Sequence, residues 1–311
     1  MKNPHIFVAL STFSEFDPEP LKLLEESGCA FSFNKTGRRI KEDEIIGMAG
    51  NAQGIIAGVE PYDRRVLDNL PNLRCISRCG VGIDSIDMQC AREKGIAVRN
   101  TPDAVVQPVA ELTIAMIFDL LRKLTEQTVI LKAHQWKKVP GNLLSGRKVG
   151  ILGLGRIGKR VAELLVALGA QVFAADIAPD TGWARDKKVT IKSVDELLTL
   201  CDVVSIHVSV SGKSGFILNN DRIALMKQGA IVINTSRGSC IDEAALYEGI
   251  HSGHLGGAGL DVFDQEPYDG KLTALTNVVL TPHIATLTRE SRTQMEIEAV
   301  KNLLVFLKKD L

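Results

Sequence analysis

No two cysteines in this chain have the C-x-x-C spacing of a zinc or redox site, although six are present: Cys29, Cys75, Cys79, Cys90, Cys201 and Cys240. Four of them sit in or beside apolar runs, which reads as reduced, buried thiols and not as a disulfide frame or a metal site. His134, His207, His251 and His254 have no ligand spacing beyond the His251/His254 pair, which flanks a glycine-rich turn, so no metal is expected. Charge of either sign is not in excess: Lys+Arg and Asp+Glu both number 37. A zero balance argues against nucleic acid or an acidic membrane surface as the main partner. Long hydrophobic runs are missing too. The longest apolar helix candidate, Leu112 to Leu121, is interrupted by Asp119 and is too short to span a bilayer, and His5 to Leu10 is too short for the apolar core of a signal peptide. Repeats and low-complexity tracts are also lacking. The expected location is the cytoplasm.

What is present is a regular alternation. Short apolar runs at His5 to Leu10, Cys29 to Phe33, Gly54 to Ala57, Leu73 to Arg78 and Ile96 to Val98 read as strands. Between them Pro18 to Glu26, Lys41 to Ala49, Asp63 to Leu70 and Asp87 to Glu93 have helical periodicity, with stops at Gly28, Gly50 and Gly95. Alternation of this kind requires a parallel sheet with helices on both faces, so residues 1 to about 100 form one α/β unit. A helix from about Ala104, past Pro108, through Leu131 and towards Trp136 then bridges to a second unit. There, six strands are expected, at Val149 to Leu152, Gln171 to Ala175, Val203 to His207, Ala230 to Asn234, Gly257 to Asp261 and Val278 to Thr281. The tail from Arg289 to Lys309 is an amphipathic helix, expected to return to the first domain and make it discontinuous.

The second unit opens on Lys148-Val149-Gly150-Ile151-Leu152-Gly153-Leu154-Gly155-Arg156-Ile157-Gly158, a strand that ends in G-x-G-x-x-G and runs into a helix. That is the turn of a dinucleotide-binding unit. Gly153 permits the sharp turn, Gly155 lets the backbone approach a pyrophosphate, and Gly158 lets the helix pack on the strand. The helix N-terminus then faces the phosphates. A second strand closes on Asp176, roughly twenty residues on, where an acid bonds the adenosine ribose and repels a 2′-phosphate. The cofactor reads as NAD, with Arg185, Lys187 and Lys188 near enough in sequence to blur the preference over NADP.

Three more strand ends carry ionisable residues: Asn234-Thr235-Ser236-Arg237-Gly238, Asp261-Val262-Phe263-Asp264-Gln265-Glu266-Pro267, and Thr281-Pro282-His283-Ile284-Ala285-Thr286. In an open α/β sheet ligands lie beyond the carboxyl ends of strands, so these stretches should converge. With the glycine fingerprint and Ser77-Arg78-Cys79-Gly80-Val81-Gly82-Ile83-Asp84-Ser85-Ile86-Asp87, the chain resembles the NAD-dependent D-isomer-specific 2-hydroxyacid dehydrogenase family from about Gly54 to Arg292. The resemblance implies two doubly wound parallel-sheet domains, a Rossmann NAD-binding domain over 101–285 inserted in a flavodoxin-like substrate domain over 1–100 plus 286–311. It also implies a catalytic set of Arg237, Glu266 and His283.

Those residue types suit the reaction. A hydride goes to the carbonyl carbon of a 2-oxo acid and a proton to its oxygen, and an imidazole beside a carboxylate can deliver that proton. Arg237 can hold the substrate carboxylate and polarise the carbonyl. By resemblance, the main-chain N–H groups of Val81 and Gly82 bind the same carboxylate, Arg156 and Ile157 meet the pyrophosphate, Thr235 and Ser236 the ribose side, and Asp261 and Ala285 the nicotinamide end. Asp261 can equally be a structural acid.

Within the family the Ser77–Asp87 stretch is most similar to short D-3-phosphoglycerate dehydrogenases, in which the arginine at Arg78 approaches the phosphate. Here, however, Ala57-Gly58-Val59-Glu60 stands where a second cation is often found, and Ser85 replaces a common asparagine. The expected substrate is 3-phosphoglycerate, with glyoxylate or hydroxypyruvate reduction as the alternative and an NAD-sensing corepressor as the alternative of another class. Glu266 speaks against formate oxidation, where glutamine is the partner of the histidine. The apolar helix from Pro108 to Leu131 marks a homodimer interface.

Overall fold

The computed structural model describes residues 3–208 and 216–308. Contacts divide the chain into two compact units, Met1–Val105 with Leu287–Leu311, and Val106–Thr286. In the first, strands β1 (His5–Val8), β2 (Ala30–Phe33), β3 (Gly54–Ala57), β4 (Cys75–Arg78) and β5 (Ala97–Asn100) alternate with helices α1 (Glu19–Glu25), α2 (Glu42–Ala49), α3 (Arg64–Asp68) and α4 (Met88–Glu93). The second begins with α5 (Val106–Arg122) and α6 (Leu124–Lys132). It continues through β6 (Lys148–Leu152), α7 (Arg156–Ala167), β7 (Gln171–Ala175), α8 (Thr181–Asp186), β8 (Thr190–Ile191), α9 (Val194–Leu200) and β9 (Val203–Ile206). Then follow α10 (Asn220–Leu225), β10 (Ala230–Asn234), α11 (Glu243–His251), β11 (Leu255–Leu260) and β12 (Val278–Leu280), and α12 (Arg289–Lys308) ends the description. Lys309, the expected last residue of that helix, lies outside the described residues.

The first sheet has the order β2-β1-β3-β4-β5 with every pairing parallel. This is the flavodoxin-like doubly wound order, whose strand sequence reverses at β1/β3. Asp63 and Asp87 start α3 and α4 by accepting the N–H groups of Val66 and Cys90 at 2.8 Å each. α12 packs on α1, β3, β4 and β5, burying Met295, Ala299, Val300, Leu303 and Leu307. Each large apolar side chain so buried contributes about 1.5–3 kcal/mol. Gly54 makes the approach possible, since a Cβ there would sit 2.8 Å from Leu303.

The second sheet is larger than expected, with the order β12-β11-β10-β9-β6-β7-β8. The added strand, β8, has only two residues, too few to show an alternation in the sequence. Ile231 and Ile233 of β10 face the cluster made with α5 and α7, while Ala230 and Val232 face the cluster made with α9, α10 and α11. Burial on both faces explains why these strands read as continuous apolar runs.

The bridging helix differs from its expected form. It breaks at Lys123, which adopts φ 53°, and Asp119 accepts the N–H and hydroxyl of Thr125 at 2.7 and 2.5 Å, starting a new helix. The acid that interrupts the apolar run thus serves as the device that separates α5 from α6. Pro108 is tolerated because it lies in the first turn of α5, where its missing N–H costs no bond. Gly28, Gly95 and Gly169 are left-handed near helix ends, but Gly50 stays right-handed at φ −50°. All six cysteines are free thiols and five are buried. No described helix is long and apolar enough to cross a membrane, and no group of three metal-ligating side chains occurs among the described residues.

Candidate active site

β6 ends at Leu152 and the chain turns on Gly153, whose φ of +95° favours glycine. A Cβ there would lie 2.6 Å from the His207 carbonyl oxygen, and a Cβ at Gly158 would run into the Gly153 carbonyl. Gly155 is different. Its φ is −73°, an ordinary value, and among the described residues no atom beyond its chain neighbours lies within 4 Å of the place its Cβ would take. The space left open over the backbone at 155 is what the close approach of a pyrophosphate would need. Gly155 is also the N-cap of α7 and no side chain caps the helix, so the positive end of the dipole stands at this turn.

Asp176 follows β7. Its Oδ2 accepts the Leu154 N–H at 2.6 Å and its Oδ1 the Ala178 N–H at 2.8 Å, so it ties the glycine turn to the strand and keeps lone pairs for a ribose hydroxyl. Of the cations that blur the cofactor preference, Lys187 pairs with Glu163 at 2.9 Å and Arg185 reaches Asp186 at 3.7 Å. His207, at the end of β9, shares a hydrogen bond of 2.8 Å with Ser205 Oγ, and burial lowers its pKa to about 4, so it is neutral at pH 7.

The structure brings Glu266 and His283 together: His283 Nδ1 donates to Glu266 Oε2 at 2.9 Å and lies 3.1 Å from Oε1. Nε2 is thereby the ring nitrogen left to give or take a proton. The imidazole is positioned by a loop with an unusual backbone, since His283 has φ 54°. Asp261, at the end of β11, has no exposed surface and holds that loop. Its Oδ1 accepts the Thr281 hydroxyl at 2.6 Å and the Ile284 N–H at 2.8 Å, its Oδ2 the Ala285 N–H at 2.9 Å, and its carbonyl the His283 N–H at 2.9 Å. Expected at the nicotinamide, Asp261 is placed here beneath the loop, as is the N–H of Ala285.

Arg237 belongs to the turn after β10, which Asn234 organises: its Oδ1 accepts the N–H and hydroxyl of Ser236 at 3.0 and 2.8 Å, and its Nδ2 donates to the Arg237 carbonyl at 2.8 Å. Thr235 turns inward, its hydroxyl 3.0 Å from that of Thr113. Gly238 lets this turn meet the Glu266 loop, because a Cβ would strike the main chain of Phe263 and Asp264. Asn234 was not among the expected site residues, although an asparagine at a strand end two residues before a serine is the signal of such a turn.

In the first unit, Arg78 ends β4 and its Nη1 donates back to the Cys79 carbonyl. Gly80 has φ +130°, and Thr101 pins it by accepting its N–H at 2.7 Å and donating its own to the Gly80 carbonyl at 3.1 Å. Among the described residues nothing accepts a hydrogen bond from the N–H groups of Val81 and Gly82, two successive donors of an anion nest.

Residues 114–285 match the model of the D-isomer specific 2-hydroxyacid dehydrogenase, NAD binding domain. The chain belongs to that family. A hydroxypyruvate reductase of Thermotoga maritima is 37% identical over 276 residues, 86% of this chain and 89% of its own. A D-3-phosphoglycerate dehydrogenase of Methanocaldococcus jannaschii is 35% identical over 88% of this chain and 52% of its own. Among solved structures, a D-lactate dehydrogenase of Aquifex aeolicus, complexed with NAD and lactic acid, superposes with TM-score 0.86 at 30% identity over 98% of this chain and 96% of its own.

The dehydrogenase is therefore NAD-dependent, and the glycine turn fits the cofactor: Gly155 leaves the space a Cβ would fill, α7 offers N–H groups, and Asp176 offers an acceptor. Gly155→Ala is expected to leave the melting temperature within about a degree, as nothing obstructs the methyl, yet to weaken NAD binding by about tenfold or more. Gly158→Ala, which drives a methyl into the Gly153 carbonyl, is expected to lower both. Calorimetric NAD titration with a thermal melt separates the two, and unchanged NAD affinity in Gly155→Ala refutes the assignment.

Proposed function

We propose that this dehydrogenase interconverts a 2-oxo acid and the D-2-hydroxy acid, with Arg237, Glu266 and His283 as its catalytic residues. The observation that carries the reading is the hydrogen bond from His283 Nδ1 to Glu266, on a loop locked by a buried acid. Bound NAD(H) supplies or takes the hydride at the substrate carbon. His283 Nε2 gives its proton to the carbonyl oxygen as negative charge develops there, and takes it back in the oxidative direction. Glu266 keeps Nδ1 protonated and offsets the imidazolium charge. In the second unit the Arg237 guanidinium takes an anionic group of the substrate and polarises the carbonyl, and in the first unit the N–H groups of Val81 and Gly82 are donors for a carboxylate. Hydrogen-bond acceptance by Asp176 at the ribose selects NAD over NADP.

Two classes of substrate fit this scheme, phosphorylated and unphosphorylated. Arg78 is the residue that favours 3-phosphoglycerate and 3-phosphohydroxypyruvate, while Glu60 opposes them and favours hydroxypyruvate or glyoxylate. The paired His283 and Glu266 support catalysis over a purely cofactor-sensing role. Oxidation of NADH by one of these 2-oxo acids, lost on replacement of His283, tests the reading.

The free thiols and the NAD cofactor support a cytoplasmic setting. A homodimer is supported by exposed apolar side chains on α6 and the loop after it. No residue of α6 is buried, and Val129, Leu131, Trp136 and Leu143 are 62, 55, 85 and 73% exposed. In α5 the side chains of Val109, Met116, Ile117 and Leu121 are buried within its own unit, so the reading rests on α6 and the loop after it. Light scattering is expected to report two chains, and Val129→Asp with Trp136→Ser to return one; a monomeric wild type overturns the proposal.

A further inference from the structure

The carboxyl end of the first sheet carries two buried acids that the reaction does not use. Glu60 is 4% exposed and Glu296 is 2% exposed. Glu60 lies on the loop after β3, folded back so that its Oε2 accepts the Gly58 N–H at 2.7 Å. β3 runs beside β4 with Ala57 opposite Arg78, and the Cys79 N–H donates to the Ala57 carbonyl at 2.8 Å, so this loop and the Cys79–Gly82 loop leave the sheet side by side. Tyr62, fully buried, joins them: its N–H donates to Ser85 and its carbonyl accepts from Asp87 at 2.7 and 2.9 Å. Glu296 on α12 pairs with Arg292 at 3.0 Å and accepts the Ser14 N–H at 2.8 Å.

All four charges act on one place. Burial pushes the Cys79 thiol up to about 12, and Arg292, Glu296, Arg78 and Glu60 are the charges that act on it. Burial raises the pKa of both Glu60 and Glu296 above the ordinary carboxylate value, an effect offset in part by the main-chain N–H each accepts and by the guanidiniums of Arg39 and Arg78 on Glu60 and of Arg292 on Glu296. Beside the Cys79–Gly82 loop two buried carboxylates, Glu60 and Glu296, thus stand among the guanidiniums of Arg78 and Arg292. The N–H groups of Val81 and Gly82 remain the donors for a single anionic group.

We propose that Glu60 and Glu296 are specificity determinants, which cancel Arg78 and Arg292 and set the site for 2-oxo acids with an uncharged far end, as in hydroxypyruvate and glyoxylate, against acids that carry a second anion such as a phosphate. The proposal rests on the reaction assigned above. A phosphate brings about two negative charges to a region that already holds two buried carboxylates, acids that cannot move away into water. One carboxylate of the substrate meets no such opposition, because its donors are main-chain amides.

Steady-state kcat/KM with NADH on hydroxypyruvate, glyoxylate and 3-phosphohydroxypyruvate tests it. The wild type is expected to prefer hydroxypyruvate over its phosphorylated form by about tenfold or more. Glu60→Gln keeps an acceptor for the Gly58 N–H and removes the charge. It is expected to move that ratio towards the phosphorylated substrate by about tenfold, through KM and not kcat, as for an electrostatic determinant. Wild-type preference for the phosphorylated acid overturns the proposal and leaves the reaction standing, as does a Glu60→Gln enzyme whose rates fall equally on both substrates. Turnover of none of the three overturns the reaction and the proposal together. If Glu60→Gln does not fold, the wild-type ratio alone decides.

Discussion

Replacing His283 by asparagine lowers kcat/KM for 2-oxo acid reduction by about 10²–10⁴-fold, the range for loss of a positioned general acid, with NAD affinity and melting temperature nearly unchanged. Asparagine is chosen because position 283 has φ 54°, which it tolerates better than alanine does. Stability should survive, because the His283 side chain is 47% exposed and its one side-chain partner, Glu266, is 38% exposed. Surface pairs of this kind contribute about 0–1 kcal/mol. The measurement is stopped-flow or steady-state NADH oxidation beside a calorimetric NAD titration. Retention of more than about a tenth of the wild-type rate rules out His283 as the proton donor, and a fall in NAD affinity to match the rate assigns the histidine to binding instead.

The second large effect is expected at Asp261, which acts through His283 and not on the substrate. Asp261→Asn replaces one acceptor oxygen by an NH₂ group among three donors, from Thr281, Ile284 and Ala285. Whichever way the amide turns, at least one donor faces another donor. Bonds to a charged acceptor are each worth about 1.5–3 kcal/mol, so a melting temperature lower by about 4–8 °C is expected. The loop that keeps His283 at a positive φ should relax, and kcat should fall by about tenfold or more. A merely structural acid would cost stability alone. Unchanged kcat in folded Asp261→Asn, or a loss confined to the KM for NADH, defeats the positioning role.

Much of the fold is legible in the chain because its strands are buried on both faces and its helices on one. Continuous apolar runs at β6, β9 and β10 contrast with the periodic stretch that becomes α7, and the two patterns are hard to confuse. The failures have local causes. β8 is too short to alternate, and the α5/α6 break depends on Asp119 turning back to cap Thr125, which looks in the sequence like a single polar residue in an apolar helix.

The site divides in the same way. Gly153, Gly158 and Asp176 could be read from the order of residues, because each acts within one strand, turn and helix, where neighbours in sequence are neighbours in space. The same short reach made the pairing of acid and imidazole a matter of likeness to other chains and not of spacing: Glu266 and His283 lie on separate loops, and only their packing over β11 sets them 2.9 Å apart. The burial of Asp261 beneath the histidine, the burial of Glu60 beside the start of the Cys79 loop, and the freedom of space at Gly155 all depend on which distant segments meet. Such meetings are decided by long-range packing, and a linear reading of polar and apolar residues carries no distance between them.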